Sequence, residues 1–295
     1  MHSEDIKFYK YLNHSSAISV LKTQTLKWSS PHLFNDPFEF PEEFDFSFKE
    51  EDLNNDLLDE LVQLVYGEKE PEGDLSHPLF AFSMITRRNK NKPSEQEFRD
   101  VMCRSAHERE VNFKVLKDIF RTNNRNLKEN MAVFCVSKTH DDLLMWAHYA
   151  KDHTGCAYKL KCLPQYDRPL CAAREVSYQD DYPLIADISL YVKYLTGQIN
   201  LDLNNLFEVF ALTKSSHWSY EKEWRCVGNL NNKTLGYDFD PMMPEELESI
   251  YLGCRMEEET KKEILRLVED SYIRTSVYQA KLARQKYALE FIQIR

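Results

Sequence analysis

Short apolar stretches separated by turn residues recur along the chain and predict β-strands. Residues 131–136, with the sequence MAVFCV, are apolar throughout, whereas residues 156–161, CAYKLK, alternate between apolar and polar positions. The predicted strands cover residues 6–12, 26–29, 131–136, 156–161, 174–178, 223–228, 249–253, 276–282 and 287–293. This pattern predicts a mixed, mostly antiparallel sheet.

Apolar residues at helical spacing mark the other elements. Leucines and a valine recur three and four positions apart from Leu53 to Val65, as on one face of a helix. Further helices are predicted at residues 15–21 with Ser15 or Ser16 as N-cap, from 94 or 95 to about 120 with Phe98 and Val101 facing inward, at 140–149, at 183–212 and at 257–270. The predicted fold class is α+β: one domain over residues 1–295, with a helical insertion at about 50–130.

Composition narrows the possible functions. The chain has 295 residues, a formal net charge of −10 and 7 glycines. No two glycines are close enough to form a phosphate-binding loop, so a Rossmann or Walker-type nucleotide site is not expected. The negative charge disfavours general nucleic-acid binding. No uncharged apolar run approaches the roughly 20 residues that span a membrane.

The cysteines and histidines do not match a known metal-binding pattern. His140, His148, His153, Cys156 and Cys162 lie within 23 positions, but their spacing fits no zinc motif. We therefore expect no metal site. The seven cysteines include no Cys-x-x-Cys pair, and the N-terminal MHSED lacks the features of a signal peptide. These observations predict a cytoplasmic protein with reduced thiols.

Two carboxylates lie two positions apart in the segment WSYEKEWR, residues 218–225. If this segment is a strand, alternation places Glu221, Glu223 and Arg225 on one face, opposite the residues between them. Two neighbouring carboxylates can play different roles in one reaction: one stabilises positive charge and the other acts as a base. A solvated strand, in which both glutamates form salt bridges, is the alternative interpretation.

The segment MWAHYA, residues 145–150, predicts a helix with Trp146 and Tyr149 on one face. In a binding site, Tyr149 would stack on a base or a nicotinamide ring and His148 would orient a substrate hydroxyl. Alternatively, Trp146 and Tyr149 belong to the core and His148 makes structural hydrogen bonds.

Two further candidates lie near the N-terminus. Asn35 and Asp36, in the segment FNDPFE, would bind substrate from a rigid turn or would only form an Asx turn. On the first strand, alternation directs Lys10 to one face and its two tyrosine neighbours to the other.

Three segments together resemble a widespread bacterial family of domains of unknown function. They are YKY at residues 9–11 with LKWSSPHLFNDPFE at 26–39, MWAHYAKDHTG at 145–155, and TKSSHWSYEKEWR at 213–225. The resemblance extends from about residue 7 to the terminal strands, and the family name implies little chemistry.

The order of these segments also resembles the layout of ADP-ribosyltransferases. This resemblance implies that Lys10 stands where a His or Arg usually holds the NAD ribose, and that Tyr149 stacks on nicotinamide. It also implies that Glu223 is the catalytic glutamate and that Glu221 assists at the acceptor. The NAD-binding residues expected on this basis are Lys10, Asn35, Asp36, His148, Tyr149 and Arg225. The implied enzyme is a transferase or glycohydrolase that consumes NAD, acting on a protein or nucleic-acid acceptor as a toxin or phage-defence effector.

Two other functions remain open from the sequence. The Glu-x-Glu pair with Lys214, Lys222 and Arg225 would suit a metal-dependent nuclease of a defence system, holding a divalent metal and phosphate. The aromatic motifs would suit a non-catalytic interaction module. Loss of activity with a chelator is expected only for the nuclease, and absence of turnover only for the interaction module.

Overall fold

The computed structural model describes residues 7–41, 48–104, 110–182, 187–200 and 209–295. The chain divides into two compact units. The first consists of the described parts of Met1–Phe40, Leu127–Asp181 and Phe210–Arg295, and the second of those of Pro41–Asn126 and Tyr182–Val209. This division does not test the predicted single domain with an insertion, which stays a prediction. None of the described helices has the length and apolar character needed to cross a membrane.

The strands of the first unit follow the predicted apolar runs, except at residues 213–215 and 237–241, where no strand was predicted. They are β1 (Lys7–Leu12), β2 (Thr25–Ser29), β3 (Met131–Ser137), β4 (Cys156–Lys161), β5 (Arg174–Glu175), β6 (Ser177–Gln179), β7 (Thr213–Ser215), β8 (Glu223–Asn229), β9 (Tyr237–Pro241), β10 (Leu247–Leu252), β11 (Ser276–Leu282) and β12 (Leu289–Gln293). Within the described residues, ten of these strands form one sheet in the order β12-β11-β10-β4-β1-β3-β2-β9, with β8 paired to β3 and β5 to β8. Its strand pairs are antiparallel except for the parallel pair β10–β11.

The helices are α1 (His14–Thr23), α2 (Glu50–Tyr66), α3 (Pro78–Arg88), α4 (Glu95–Arg104), α5 (Glu110–Asn130), α6 (Leu143–His148), α7 (Ile188–Leu195) and α8 (Glu258–Ser271). The predicted α+β class with a mixed, mostly antiparallel sheet is confirmed. The N-cap of α1 is Asn13, whose side chain accepts the backbone N–H of Ser16. The predicted serine cap is therefore wrong, because the N-cap lies two or three residues earlier.

One predicted helix, from about 95 to 120, corresponds to the separate elements α4 and α5, and the residues between them lie outside the described part of the chain. Phe98 is buried as predicted, but Val101 is 59 % exposed. Of the segment predicted to be helical at 183–212, the structure describes α7, while residues 183–186 and 201–208 lie outside the described residues.

Each face of the main sheet packs against different elements. On one face, Phe8 and Ile250 lie in a core cluster with residues of α1 and α8. On the other face, Tyr11, Ala157 and Tyr251 pack with α6 residues. Because strand side chains alternate between faces, β1 contributes to both cores. The second unit has a core of its own, built on α2, α3, α4 and α7.

The strand β3 is where the main sheet branches. β8 pairs with all seven residues of β3 and so occupies one edge. β1 and β2 therefore share the opposite edge, pairing with it at Ser137 and Val133 respectively. The two strands diverge from β3, and a cavity opens beside this point.

Candidate functional site

A cavity of about 410 Å³ lies in the first unit, a volume typical of small-molecule sites. It is lined by Tyr9, Lys10, Tyr11, Lys27, Ser29, Leu33, Phe34, Asn35, Glu39, Val133, Cys135, Val136, Ser137, Met145, His148, Tyr149, Lys214, Glu221, Glu223 and Arg225. Seven of the eight predicted site residues belong to this lining. The structure thus brings together side chains that lie more than two hundred positions apart in the sequence.

The Glu-x-Glu segment is only partly a strand. Residues Ser216–Glu221 form a 3₁₀ helix, Lys222 adopts a left-handed backbone conformation with φ 44°, and β8 begins at Glu223. The predicted alternation over residues 218–225 is therefore wrong before Glu223. Both glutamates are nevertheless buried, because the turn directs Glu221 into the same cavity.

The register of β8 against β3 fixes the positions of Glu223 and Arg225. Glu223 lies opposite Ser137, and Arg225 lies opposite Cys135. Residues directly opposite in an antiparallel pair point to the same face of the sheet, so all four line the cavity. The pairing of β8 with β3 thus sets the position of Glu223, the predicted catalytic residue.

Five buried charged side chains form one cluster at the cavity. The Lys214 ammonium lies 2.7 Å from Glu221 Oε2, 3.2 Å from Glu223 Oε2 and 3.2 Å from Glu39 Oε1. Arg225 Nε donates to Glu223 Oε1 at 2.8 Å, Nη2 to Glu223 Oε2 at 2.9 Å, and Nη2 also to Glu39. Three carboxylates face two cations, so these side chains hold one excess negative charge when all are ionised.

The two glutamates of the motif differ in acidity. Burial alone would raise the pKa of Glu223, but the charges and hydrogen bonds of Arg225 and Lys214 hold it well below its usual range. For Glu221, burial raises the pKa, and the attraction of Lys214 only partly opposes the effect. Environments that push two carboxyl pKa values apart create one permanently ionised group and one that can exchange a proton.

Tyr149 connects α6 to this cluster. The side chain of Asp142 caps α6 by accepting the N–H groups of Leu144 and Met145, and Tyr149 follows the last turn. Its hydroxyl donates to Glu221 Oε1 at 2.5 Å and also hydrogen-bonds Asn35. Burial and the neighbouring carboxylate raise the pKa of Tyr149, so its hydroxyl stays protonated and available as a donor.

The neighbours of Tyr149 separate into core and cavity residues. Trp146 is fully buried, and its Nε1 donates to the His140 carbonyl at 2.7 Å, which favours the structural interpretation for this residue. His148 is exposed and lines the cavity.

Lys10 lies at the branch of the sheet. Its ammonium donates to the carbonyl of Cys135 at 2.8 Å and lies 4.9 Å from the centroid of the Phe134 ring. Cys135 stands between Val133 and Ser137, where β3 pairs with its two partners on this edge. Lys10 therefore satisfies a backbone oxygen at the gap between the two strands, and burial lowers its pKa.

The segment FNDPFE supplies one wall of the cavity. Phe34, Asn35 and Glu39 line it, and the Phe34 ring lies 5.5 Å from the guanidinium carbon of Arg225. Asp36 is buried and its Oδ1 accepts the N–H of Phe38 at 2.9 Å, but it does not line the cavity. For Asp36 the structure thus shows the Asx turn, not a position in the cavity.

The sequence patterns do not indicate Glu39 as a site residue and do not place Lys214 inside the site. Both are more than nine-tenths buried. The only signal in the sequence was that each belongs to one of the three motifs of the family resemblance. Their burial could not be predicted, because the partners of a buried charge come from distant positions in the chain.

No group of three or more His, Cys, Asp or Glu side chains placed to hold a metal ion occurs in the described part of the chain. The cysteines differ from the prediction in one respect: Cys162 and Cys171 form a disulfide, with their Cα atoms 5.1 Å apart. The expectation of reduced thiols is therefore wrong for this pair, which the loop after β4 brings together. Cys135, Cys156 and Cys226 are free thiols.

Comparison with known proteins gives one match. Residues 145–226 match the model of a family described as a protein of unknown function, DUF2971. The matched stretch runs from α6 to β8 and contains Tyr149, Glu221 and Glu223. It supports the resemblance to a family of unknown function over a shorter range than predicted, and it assigns no chemistry. No curated protein and no solved structure matches the chain.

Proposed function

We propose that the protein cleaves the bond between nicotinamide and ribose in NAD, as a transferase or a glycohydrolase. The observation that supports this most directly is the convergence of Tyr149, Glu221 and Glu223 on one cavity. These are the residues to which the resemblance to ADP-ribosyltransferases gives the stacking, acceptor-side and catalytic roles.

The charge of the site suits this reaction. The nicotinamide ring of NAD is a cation, and its departure builds positive charge on the ribose carbon. The buried cluster of three carboxylates and two cations, beside several aromatic rings, supplies negative charge that stabilises such a centre, while Lys10 and Lys27 also line the cavity. We therefore place the nicotinamide riboside end of NAD in the cavity.

The two acidities suggest a division of labour. In the proposed reaction the bond from the ribose carbon C1′ to the nicotinamide nitrogen breaks, and its electron pair leaves with neutral nicotinamide. Ionised Glu223 stabilises the positive charge that forms. Water or an acceptor hydroxyl then bonds to C1′, and its proton passes to Glu221, which releases it to solvent.

The primary test is nicotinamide release from NAD by the purified full chain, with water, protein and nucleic acid offered as acceptors. We expect release, and we expect it to persist in the presence of a metal chelator. If the protein neither binds NAD nor releases nicotinamide with any of these acceptors, the proposal fails. Phosphodiester cleavage that stops when a chelator is added would instead support the metal-dependent nuclease.

The acidity of Glu221 leads to a pH prediction. A base acts only in its ionised form, so the rate should fall as the pH drops through the raised pKa of Glu221. We expect this acidic limb above the ordinary glutamate range in the unmodified protein and expect it to be absent from the residual activity of Glu221→Gln. A pH profile of kcat for both proteins measures it. An identical limb in the two profiles would show that another group is the base.

A further inference from the structure

Three aromatic side chains form a loose cluster beside the cavity. The ring centroids of Trp218 and Tyr220 are 6.0 Å apart, and that of His148 lies 6.4 Å from each. The ring planes meet at angles of 34° to 67°, so no pair is stacked face to face. This cluster, called the aromatic rim below, is formed where α6 and the 3₁₀ helix Ser216–Glu221 meet.

The rim is open to solvent on one side and continuous with the cavity on the other. His148 is exposed, and Trp218 and Tyr220 are partly exposed. The buried ammonium of Lys214 lies 4.9 Å from the centroid of the Trp218 ring and covers its inner face. His148 and Lys214 also line the cavity, so the rim adjoins it.

A second aromatic cluster at the cavity is packed more closely. Its members Tyr9, His140, Tyr251 and Phe291 have centroid separations of 4.5 to 6.0 Å. Tyr251 is 8 % exposed and belongs to the core around α6. These rings pack more closely on one another than the rings of the rim do.

We infer that the aromatic rim is a second subsite, which binds the adenine ring of a dinucleotide whose nicotinamide end occupies the cavity. Trp218 supplies the main stacking surface, because a planar base gains most from a large partly exposed ring with a fixed orientation. Tyr220 and His148 bound the same surface. The inference rests on the proposed function for the identity of the dinucleotide.

The test uses two halves of NAD as separate probes, AMP and nicotinamide mononucleotide, in titrations of the full chain by calorimetry. We expect Trp218→Ala to weaken AMP binding by roughly tenfold relative to nicotinamide mononucleotide binding, since removing a ring on which a base stacks lowers affinity by about this factor. Trp218→Phe, which keeps a ring, should recover most of the AMP affinity. Tyr287→Ala, which removes a fully exposed ring elsewhere in the first unit, is the matched control.

The outcomes separate this inference from the proposed function. AMP binding that depends on Trp218 supports the subsite even if NAD is not cleaved. Nicotinamide release from NAD with the same KM in Trp218→Ala as in the unmodified protein overturns the subsite while leaving the proposed function intact. Equal loss of affinity for both probes in Trp218→Ala, without recovery by Trp218→Phe, assigns the rim a structural role and also overturns the inference.

Discussion

Glu223→Gln is expected to lower nicotinamide release from NAD by about 100-fold or more, with NAD still bound. The substitution keeps the size of the side chain and removes the one carboxylate of the motif that stays ionised over the working pH range. The positive charge at the ribose carbon then loses its nearest stabilising group. Single-turnover release of nicotinamide, measured beside NAD affinity, separates the chemical step from binding.

The matched control for this variant is Glu263→Gln. Glu263 also pairs with a lysine, Lys22, at 2.7 Å, but on the protein surface. The control should release nicotinamide at the unmodified rate. Circular dichroism must show that Glu223→Gln is folded at the assay temperature, because its carboxylate also holds Arg225. A folded Glu223→Gln protein with activity within a few-fold of the unmodified protein would remove Glu223 from the mechanism.

Arg225→Met is expected to reduce the free energy of unfolding by about 3–5 kcal/mol. The guanidinium is fully buried and donates to Glu223, to Glu39 and to the carbonyl of Ala211. Methionine has a similar length but leaves the three buried carboxylates of the cluster with only Lys214 as a cationic partner. Removing one partner from such a cluster costs far more than the net contribution of an ion pair at the surface.

Denaturation followed by tryptophan fluorescence measures this loss, because all four tryptophans belong to the first unit. Arg266→Met serves as the control, since Arg266 is largely exposed and pairs with Asp270 at 3.5 Å. It should cost less than about 1 kcal/mol. Adding Glu39→Gln to Arg225→Met should restore part of the stability by removing one uncompensated charge. If Arg225→Met lowers the free energy of unfolding by less than Arg266→Met does, the cluster is hydrated and is not a buried network.

Local structure was largely predictable from the sequence. The apolar run at residues 131–136 became β3, and the alternating run at 156–161 became β4. These elements were predictable because the pattern of apolar and polar residues within six or seven positions determines whether a short segment forms a strand or a helix. The 3₁₀ helix before β8 was not predicted, because Lys222 must adopt a left-handed conformation that only the completed turn supports.

For the candidate site, the sequence predicted individual residues that belong to the recognised motifs, but not the contacts between them. Glu221, Glu223 and Tyr149 were identified because a paired carboxylate and an aromatic residue suggest chemistry by themselves. The pairing of Glu39 with Arg225 spans 186 positions and depends on the register of β8 against β3. No local pattern encodes that register. The contact of Lys10 with a backbone carbonyl likewise requires the branch in the sheet, which is a property of topology.

The branch at β3 also determines when the site can exist during synthesis. At the site, Lys10 hydrogen-bonds the carbonyl of Cys135, which lies 125 positions later in the chain. The cluster of charged side chains is complete only when Arg225 has been synthesised. A nascent chain that ends before β8 therefore presents Glu39 and Lys10 without the arginine that holds the carboxylates. Contacts of this sequence separation form late and slowly, so we expect the charged cluster at the cavity to be completed late in folding. An incomplete polypeptide that lacks β8 therefore cannot have any activity that depends on this cluster.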